Sequence, residues 1–253
     1  MPSGMLGRDY EGLRDYFDEM KGHHPAWWAR FGERPDFCGK RIMDLGSGVG
    51  AMAVEMGQAG AAEVIGVELH QERVDFANRH VAERFPELGG RVRFCAAELA
   101  ALNMQNELDM VVSKDTFEHV QNVPEMLAFL RSALKPGGEI WAGFSPLWRS
   151  PNGDHGLAGG RLPWEHLMLP RPRVLERMSA KTGRPILSLV DVDLNAMSPQ
   201  EFRSAVTGSG LEFRSINYNA RDKSALRAMS VARRLPGLEA LFTAGIYAVI
   251  VRP

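Results

Sequence analysis

The segment Arg41-Ile42-Met43-Asp44-Leu45-Gly46-Ser47-Gly48-Val49-Gly50 constrains this chain more than any other stretch. A short apolar run of strand length ends in three alternate glycines, and a helix-length segment follows. The chain must turn sharply there from strand into helix. Glycine takes the positive φ values of such a turn at little cost, and its bare backbone lets a ligand lie close. The helix that follows offers unpaired N–H groups and a partial positive charge. A dinucleotide site uses the same physics, but its spacing is GxGxxG and the spacing here is GxGxG. Ala51 leaves the looser GxGxxA variant open. Asp44 stands two residues before the first glycine, where a carboxylate suits an ammonium group and repels a pyrophosphate.

Around this turn, strand-like and helix-like segments alternate. Strands are predicted at Arg41 to Leu45, Val64 to Glu68, Val92 to Ala96, Leu108 to Ser113 and Glu139 to Phe144. Helices are predicted at Val49 to Gly57, Gln71 to Phe85 and Pro124 to Leu134, the last stopped by Lys135-Pro136-Gly137-Gly138. The helix at Gln71 places Val74, Ala77, Val81 and Phe85 on one face. Alternation of this kind implies a parallel sheet covered on both faces, with ligands at the carboxyl ends of the strands. Before the sheet, Tyr10 to Phe31 reads as two short helices divided by Pro25. After it, residues 146–197 are dense in proline and glycine, with one helix at Arg173 to Thr182, and read as a cap over the site. Ser198-Pro199 opens a further helix. Leu211 to Tyr218 then reads as a strand, Arg221 to Leu235 as a basic helix and Ile246 to Val251 as a final strand.

Bulk properties narrow the function classes. The formal net charge is −1, so no global field favours nucleic acid or an anionic membrane. The two cysteines, Cys38 and Cys95, form no CxxC pair, which argues against a zinc knuckle or a disulfide framework. No apolar run approaches the roughly 18 residues of a membrane span, and the N-terminal residues lack an apolar signal core. A cytoplasmic location is therefore expected. The oligomeric state is left open, a homodimer included.

The glycine turn resembles motif I of the class I S-adenosylmethionine-dependent methyltransferases. Leu108-Asp109-Met110-Val111-Val112-Ser113-Lys114-Asp115 resembles motif IV, followed by a Glu118-His119-Val120 segment and by Leu134-Lys135-Pro136-Gly137-Gly138, both typical of the family. The resemblance covers roughly residues 38 to 145. It implies an α/β fold, a three-layer sandwich around a mostly parallel seven-stranded sheet with an antiparallel last strand, here with a cap insertion. The implied divisions are 1–37 as a helical segment covering the site, 38–145 as the cofactor-binding core, 146–197 as the cap and 198–253 as completion of the sheet. S-adenosylmethionine is the implied cofactor. Asp44, Gly46, Ser47, Gly48 and Gly50 would hold its methionine end. Glu68, 22 positions after Gly46, would take the ribose hydroxyls, close to the usual interval of roughly 20. Leu69 would pack beside the adenine, and Glu98 and Leu99 would meet its far edge. Glu98 follows Ala97 where the family usually has glycine. Lys114 stands where the family faces cofactor and substrate together and usually carries an uncharged polar residue.

Methyl transfer asks the protein to align a nucleophile and exclude water. A hydroxyl acceptor also needs a base. Three histidines are candidates: His119 after motif IV, His155 in Asn152-Gly153-Asp154-His155-Gly156, and His166 in Leu162-Pro163-Trp164-Glu165-His166. For His119 the resemblance favours the other reading, a residue that closes its turn. Asp154, Glu165, Trp164 and Tyr16 are candidate acceptor-binding residues, Trp164 as a wall attractive to a sulfonium. Adjacency in Asp154-His155 or Glu165-His166 does not make a dyad, because neighbours on an extended chain point apart. The histidine spacing matches no metal motif, so no metal is expected. The basic residues Arg221, Lys223, Arg227, Arg233 and Arg234 read as a solvated face more readily than as an RNA or acidic-carrier site. The leading reading is a methyltransferase acting on a small-molecule oxygen or nitrogen acceptor. A non-catalytic cofactor-binding regulator and an NAD-dependent reductase are the alternatives.

Overall fold

The computed structural model describes residues 9–220 and 224–253. Seven strands, β1 (Arg41–Leu45), β2 (Glu63–Glu68), β3 (Val92–Ala96), β4 (Leu108–Lys114), β5 (Leu134–Phe144), β6 (Glu212–Tyr218) and β7 (Ile246–Val251), form one sheet in the order β3-β2-β1-β4-β5-β7-β6. Strands β1 to β5 pair in parallel, and β7 runs antiparallel to both of its neighbours. The chain reverses direction of travel across the sheet after β3, which places the switch point between β1 and β4, beside the glycine turn. Successive residues of a strand face opposite sides. Ile42, Val64, Met110 and Trp141 accordingly enter one core. Met43, Ile65, Val111 and Ile140 enter the other. The first is covered by α1 (Tyr10–Trp28), α2 (Ala51–Gln58) and α3 (Gln71–Arg84), and the second by α4 (Val123–Ala133) and α7 (Pro199–Gly208). This is the three-layer α/β sandwich expected from the sequence. Ser198 caps α7 in a reciprocal capping box with Glu201.

Two local expectations are corrected. Tyr10 to Trp28 is one helix, not two: Asp9 caps it and Pro25 lies in its last turn. Proline there costs about 3 kcal/mol. Continuing the helix buries Trp27 and Trp28, at 1% and 4% exposure. Two indoles remove on the order of 150–250 Å² each from water, roughly 4–6 kcal/mol apiece, and that outweighs the proline. The second correction is β5, which starts at Leu134 and runs through Lys135-Pro136-Gly137-Gly138. A register shift between Leu108 and Met110 lets Leu108 pair with Leu134 and Met110 with Glu139. The Pro-Gly-Gly run is a bulge inside a strand, not a loop before one.

Residues 146–197 hold α5 (Glu165–Met168) and α6 (Arg171–Thr182) around a small core of their own, with Val174, Met178, Ile186, Leu189 and Leu194 buried together. Asn195 ties this cap to the loop after β4: its Nδ2 donates to Phe117 O at 2.6 Å and to Val120 O at 2.8 Å. The basic helix α8 (Ser224–Ala232) is shorter than expected, and residues 221–223 lie outside the described residues. Arg233 is engaged internally, ion-paired to Glu239 at 2.7 Å and stacked 3.6 Å from the Tyr218 ring centroid. It is not part of a free basic face.

Candidate active site

The glycine turn is held from both sides. Gly46 and Ser47 both donate their N–H to Val67 O, at 2.9 and 3.1 Å, which ties the end of β1 to β2. Gly46 has φ +75°, and a Cβ there would meet Thr116 Oγ1 at 2.2 Å. Only glycine lets the loop after β4 close on this turn. Gly48, at φ +54°, has nothing within 4 Å of a Cβ position, so its backbone faces open space. Gly50, at φ +87°, starts α2.

Beside the turn, Asp44 is 2% exposed. Burial raises its carboxyl from 3.8 to about 7, against the lowering effect of the Ala53 N–H, and the charge of Glu68 adds to the rise. Asp44 Oδ2 and Ser47 Oγ are both buried without a hydrogen-bond partner. An orphaned carboxylate oxygen is costly in a folded protein, and such sites commonly serve a ligand.

Both residues line a cleft of about 300 Å³. Its floor is Asp44 and the Gly46–Val49 backbone. One wall comes from α1 and α2 through Tyr16, Met20, His23, His24 and Met52. The other comes from the β4 loop and the start of the cap through Lys114, Asp115, Glu118, His119, Ser145 and His155. Lys114 Nζ pairs with Asp115 Oδ2 at 2.8 Å. Glu118 is 4% exposed, with neither carboxylate oxygen bonded. Burial, and then the charge of Asp115, push its pKa well above the carboxylate range. His155 Nε2 donates to Pro146 O at 3.0 Å and His119 Nδ1 to Asp193 O at 2.8 Å, with the two rings 5.5 Å apart. A carbonyl only accepts, so each bond fixes which nitrogen carries the proton. Burial lowers both imidazole pKa values, that of His119 to about 4, and both rings are neutral at pH 7.

Residues 42–138 match the family model described as a methyltransferase domain. That match covers less than half of this chain. Among curated proteins, the mitochondrial ubiquinone biosynthesis O-methyltransferase of Schizosaccharomyces pombe is 30% identical over 110 residues, 44% of this chain and 39% of that protein. The ubiquinone biosynthesis O-methyltransferase of Bordetella avium is 32% identical over 115 residues, 45% of each. The chain thus spans about half the length of these relatives or less. Among solved structures, an S-adenosylmethionine-dependent methyltransferase from Mesorhizobium loti aligns with a TM-score of 0.60 at 18% identity, over 93% of this chain and all of that one. Geranyl diphosphate C-methyltransferase from Streptomyces coelicolor aligns at 0.58 and 15%, over 92% and 79%. These alignments show the fold.

Within the methyltransferase fold, the structure brings together Asp44, Gly46, Ser47, Gly48, Lys114, Tyr16, His119 and His155 of the residues expected from the sequence. Glu68 ends β2 beside them, but its carboxylate is already engaged: it accepts from Gly48 N at 3.0 Å, Leu69 N at 3.1 Å and His70 N at 3.2 Å, and pairs with Arg73 at 3.4 Å. Leu69 is 70% exposed on the adjoining surface, Glu98 is exposed and Leu99 packs onto the second core.

Four cap residues stand elsewhere. His166 is buried against Trp148, with Nε2 donating to Trp148 O at 2.7 Å. Trp164 donates its indole N–H to Leu241 O at 3.1 Å and packs on Phe242. Asp154 accepts from Ala158 N at 3.0 Å. Glu165 accepts from Arg177, Arg161 N and Leu162 N, which together hold it at about 2. His166, Asp154 and Glu165 fasten the cap internally, and Trp164 ties it to residues 241 and 242 of the C-terminal segment. Sequence reasoning did not place Asp115, Glu118, His23 or His24 at the site. One signal was available for His24: Leu13, Phe17, Met20, His24 and Trp27 follow one helical stripe, and a histidine there interrupts an apolar face.

Proposed function

We propose that this protein transfers the methyl group of S-adenosylmethionine to a small-molecule oxygen or nitrogen acceptor, leaving S-adenosylhomocysteine. The observation that carries this reading is the unpaired, buried Asp44 carboxylate oxygen at the floor of a cleft built on the glycine turn. An ammonium group is its natural partner, and S-adenosylmethionine has one. Asp44, Ser47 and the Gly46–Gly50 backbone hold the amino-acid end. Glu68, at the end of β2, lies toward the ribose, and Leu69, Glu98 and Leu99 toward the adenine. Residues 38–145 carry the cofactor in this reading, residues 198–253 complete the sheet, and the segments 1–37 and 146–197 close over the site.

When bound, the cofactor supplies a methyl group activated by its sulfonium. The protein supplies alignment, a cleft that excludes water, and a base. His155 is the base that the geometry favours: its Nε2–H is spent on Pro146 O, which leaves the Nδ1 lone pair to take the proton of a hydroxyl acceptor. His119 lies beside it as the second candidate. Lys114, Asp115 and Tyr16 shape the acceptor end. The curated relatives are named O-methyltransferases, which favours an oxygen acceptor. Among the described residues no helix is long and apolar enough to cross a membrane, and we infer a cytoplasmic enzyme acting on a dissolved acceptor.

The test is label transfer. The protein is incubated with methyl-labelled S-adenosylmethionine and a panel of phenols, catechols, aliphatic hydroxy compounds and amines. Labelled acceptor is the expected result. Tight binding of S-adenosylhomocysteine with no transfer to any class would move the reading to a regulatory binder. NAD binding without S-adenosylhomocysteine binding would move it to a reductase.

A further inference from the structure

Helix α1 brings a third oriented histidine to the cleft. His24 lies in the buried stripe of α1 at 2% exposure and lines the cleft. Its Nδ1 donates to Glu55 Oε2 at 2.5 Å. The other oxygen of Glu55 accepts from Trp28 Nε1 at 2.9 Å and from Arg34 Nη2 at 2.8 Å. Burial opposes ionisation of Glu55, but the bond and charge of His24, with Trp28 and Arg34, hold its carboxyl below the ordinary range. An ionised Glu55 fixes the proton of His24 on Nδ1. The one remaining polar atom of the ring is Nε2, which has no protein partner among the described residues.

Glu55 belongs to α2, and Asp44 reaches the same helix through the Ala53 N–H. Asp44 therefore flanks the first turns of α2 from the sheet, and His24 flanks them from α1. Ala51 and Met52, at the positive end of that helix, line the cleft together with Asp44 and His24.

We propose that His24, oriented by Glu55, binds the carboxylate of the amino-acid end of the cofactor, so that Asp44 and His24 each read one charge of a single zwitterion. This inference rests on the proposed methyltransferase reading and extends it. Asp44 answers only the ammonium of the zwitterion; its carboxylate also leaves water in the cleft, and a cationic partner beside the backbone donors offsets that cost. In the complex the ring is an imidazolium that donates Nδ1–H to Glu55 and Nε2–H to the ligand, and a cation between two carboxylates is electrostatically favoured.

The experiment compares calorimetric binding of S-adenosylhomocysteine and of its methyl ester, which keeps the ammonium and the nucleoside but loses the negative charge. The wild-type protein is expected to prefer the free acid by about tenfold or more, the range of a charge-assisted hydrogen bond. His24→Gln should weaken the free acid by about 10–100-fold and leave the ester within about threefold, flattening the preference. Glu55→Gln should shift the preference the same way with the ring still present. Equal weakening of both ligands by His24→Gln would make the residue a strut and overturn the assignment. So would wild-type protein that binds the acid and the ester alike, a result that needs no variant to fold. If the wild type binds neither ligand, the proposed function fails and takes this inference with it.

Discussion

Asp44→Asn should make the ligand-free protein more stable while removing its cofactor binding. The folded carboxyl stands at about 7 against an ordinary 3.8, with burial as the main cause. Between those two values the folded chain keeps a proton that the unfolded chain has released. Stability therefore falls as pH rises through that window, and the full cost is present above it. A shift of roughly three units is worth about 4 kcal/mol. Asparagine keeps the oxygen that accepts the Ala53 N–H, and its amide N–H stands unpaired where the protonated acid also has an unpaired hydrogen. The two chains should thus differ least in acid. The gap should widen by roughly 2–3 kcal/mol between pH 5 and pH 8, or about 5–10 °C in Tm for a chain of this size. Thermal melts of both proteins at the two pH values measure this. Calorimetry with S-adenosylhomocysteine at pH 8 should show a loss of about 100-fold or more, because an amide hydrogen replaces the negative partner of the ammonium. A pH-independent Tm difference, or an unchanged affinity, would refute the argument that an unpaired charge is stored at this turn for a ligand.

Gly48→Val should abolish S-adenosylhomocysteine binding in calorimetry with a modest fall in Tm, since a side chain at φ +54° is strained but meets no protein atom and fills the ligand's space. Gly46→Ala should instead cost several degrees of Tm, because its Cβ meets Thr116 Oγ1 at 2.2 Å. His155→Ala should lower kcat with S-adenosylhomocysteine affinity intact, and in the wild type kcat should hold as pH falls until below the ordinary histidine value of 6.5, because burial lowers the pKa of this base. His166→Ala should cost about 1–3 kcal/mol of stability through the orphaned Trp148 carbonyl, with kcat per folded molecule retained; a selective loss of kcat would return that residue to the acceptor site.

The parts of this molecule that were legible in the sequence are those written locally. The strands Val92–Ala96 and Ile246–Val251 were placed with the bounds observed, and the glycine turn needed only three residues and a carboxylate. Such features depend on backbone conformations that one residue type strongly favours. The misread elements are those in which a distant partner overrides a local signal. Pro25 marks a helix end on its own terms, but two indoles buried on the sheet carry the helix past it. Lys135-Pro136-Gly137-Gly138 marks a loop, but a bulge opposite Leu108 absorbs it into a strand.

The same division runs through the site. In the proposed reading the floor of its cofactor half is one continuous turn, and a ligand lying on bare backbone leaves its trace in the order of the glycines. In the proposed reading its acceptor half is assembled from three segments far apart in sequence: α1 brings Tyr16, the loop after β4 brings Lys114 and Glu118, and residues 146–197 bring His155. Nothing near His155 or His166 in the chain tells them apart, since each follows an acidic residue in a turn-rich stretch. What separates them is the carbonyl each one finds. Pro146 O holds His155 at the rim of the cleft, while Trp148 O draws His166 beneath an indole ring. In the proposed reading a cofactor held by backbone and Asp44 is therefore specified by the turn. In the proposed reading the acceptor is chosen by side chains that the turn does not specify, so changes at Tyr16 and in residues 146–197 should alter the acceptor without disturbing Asp44, His24 or the glycines.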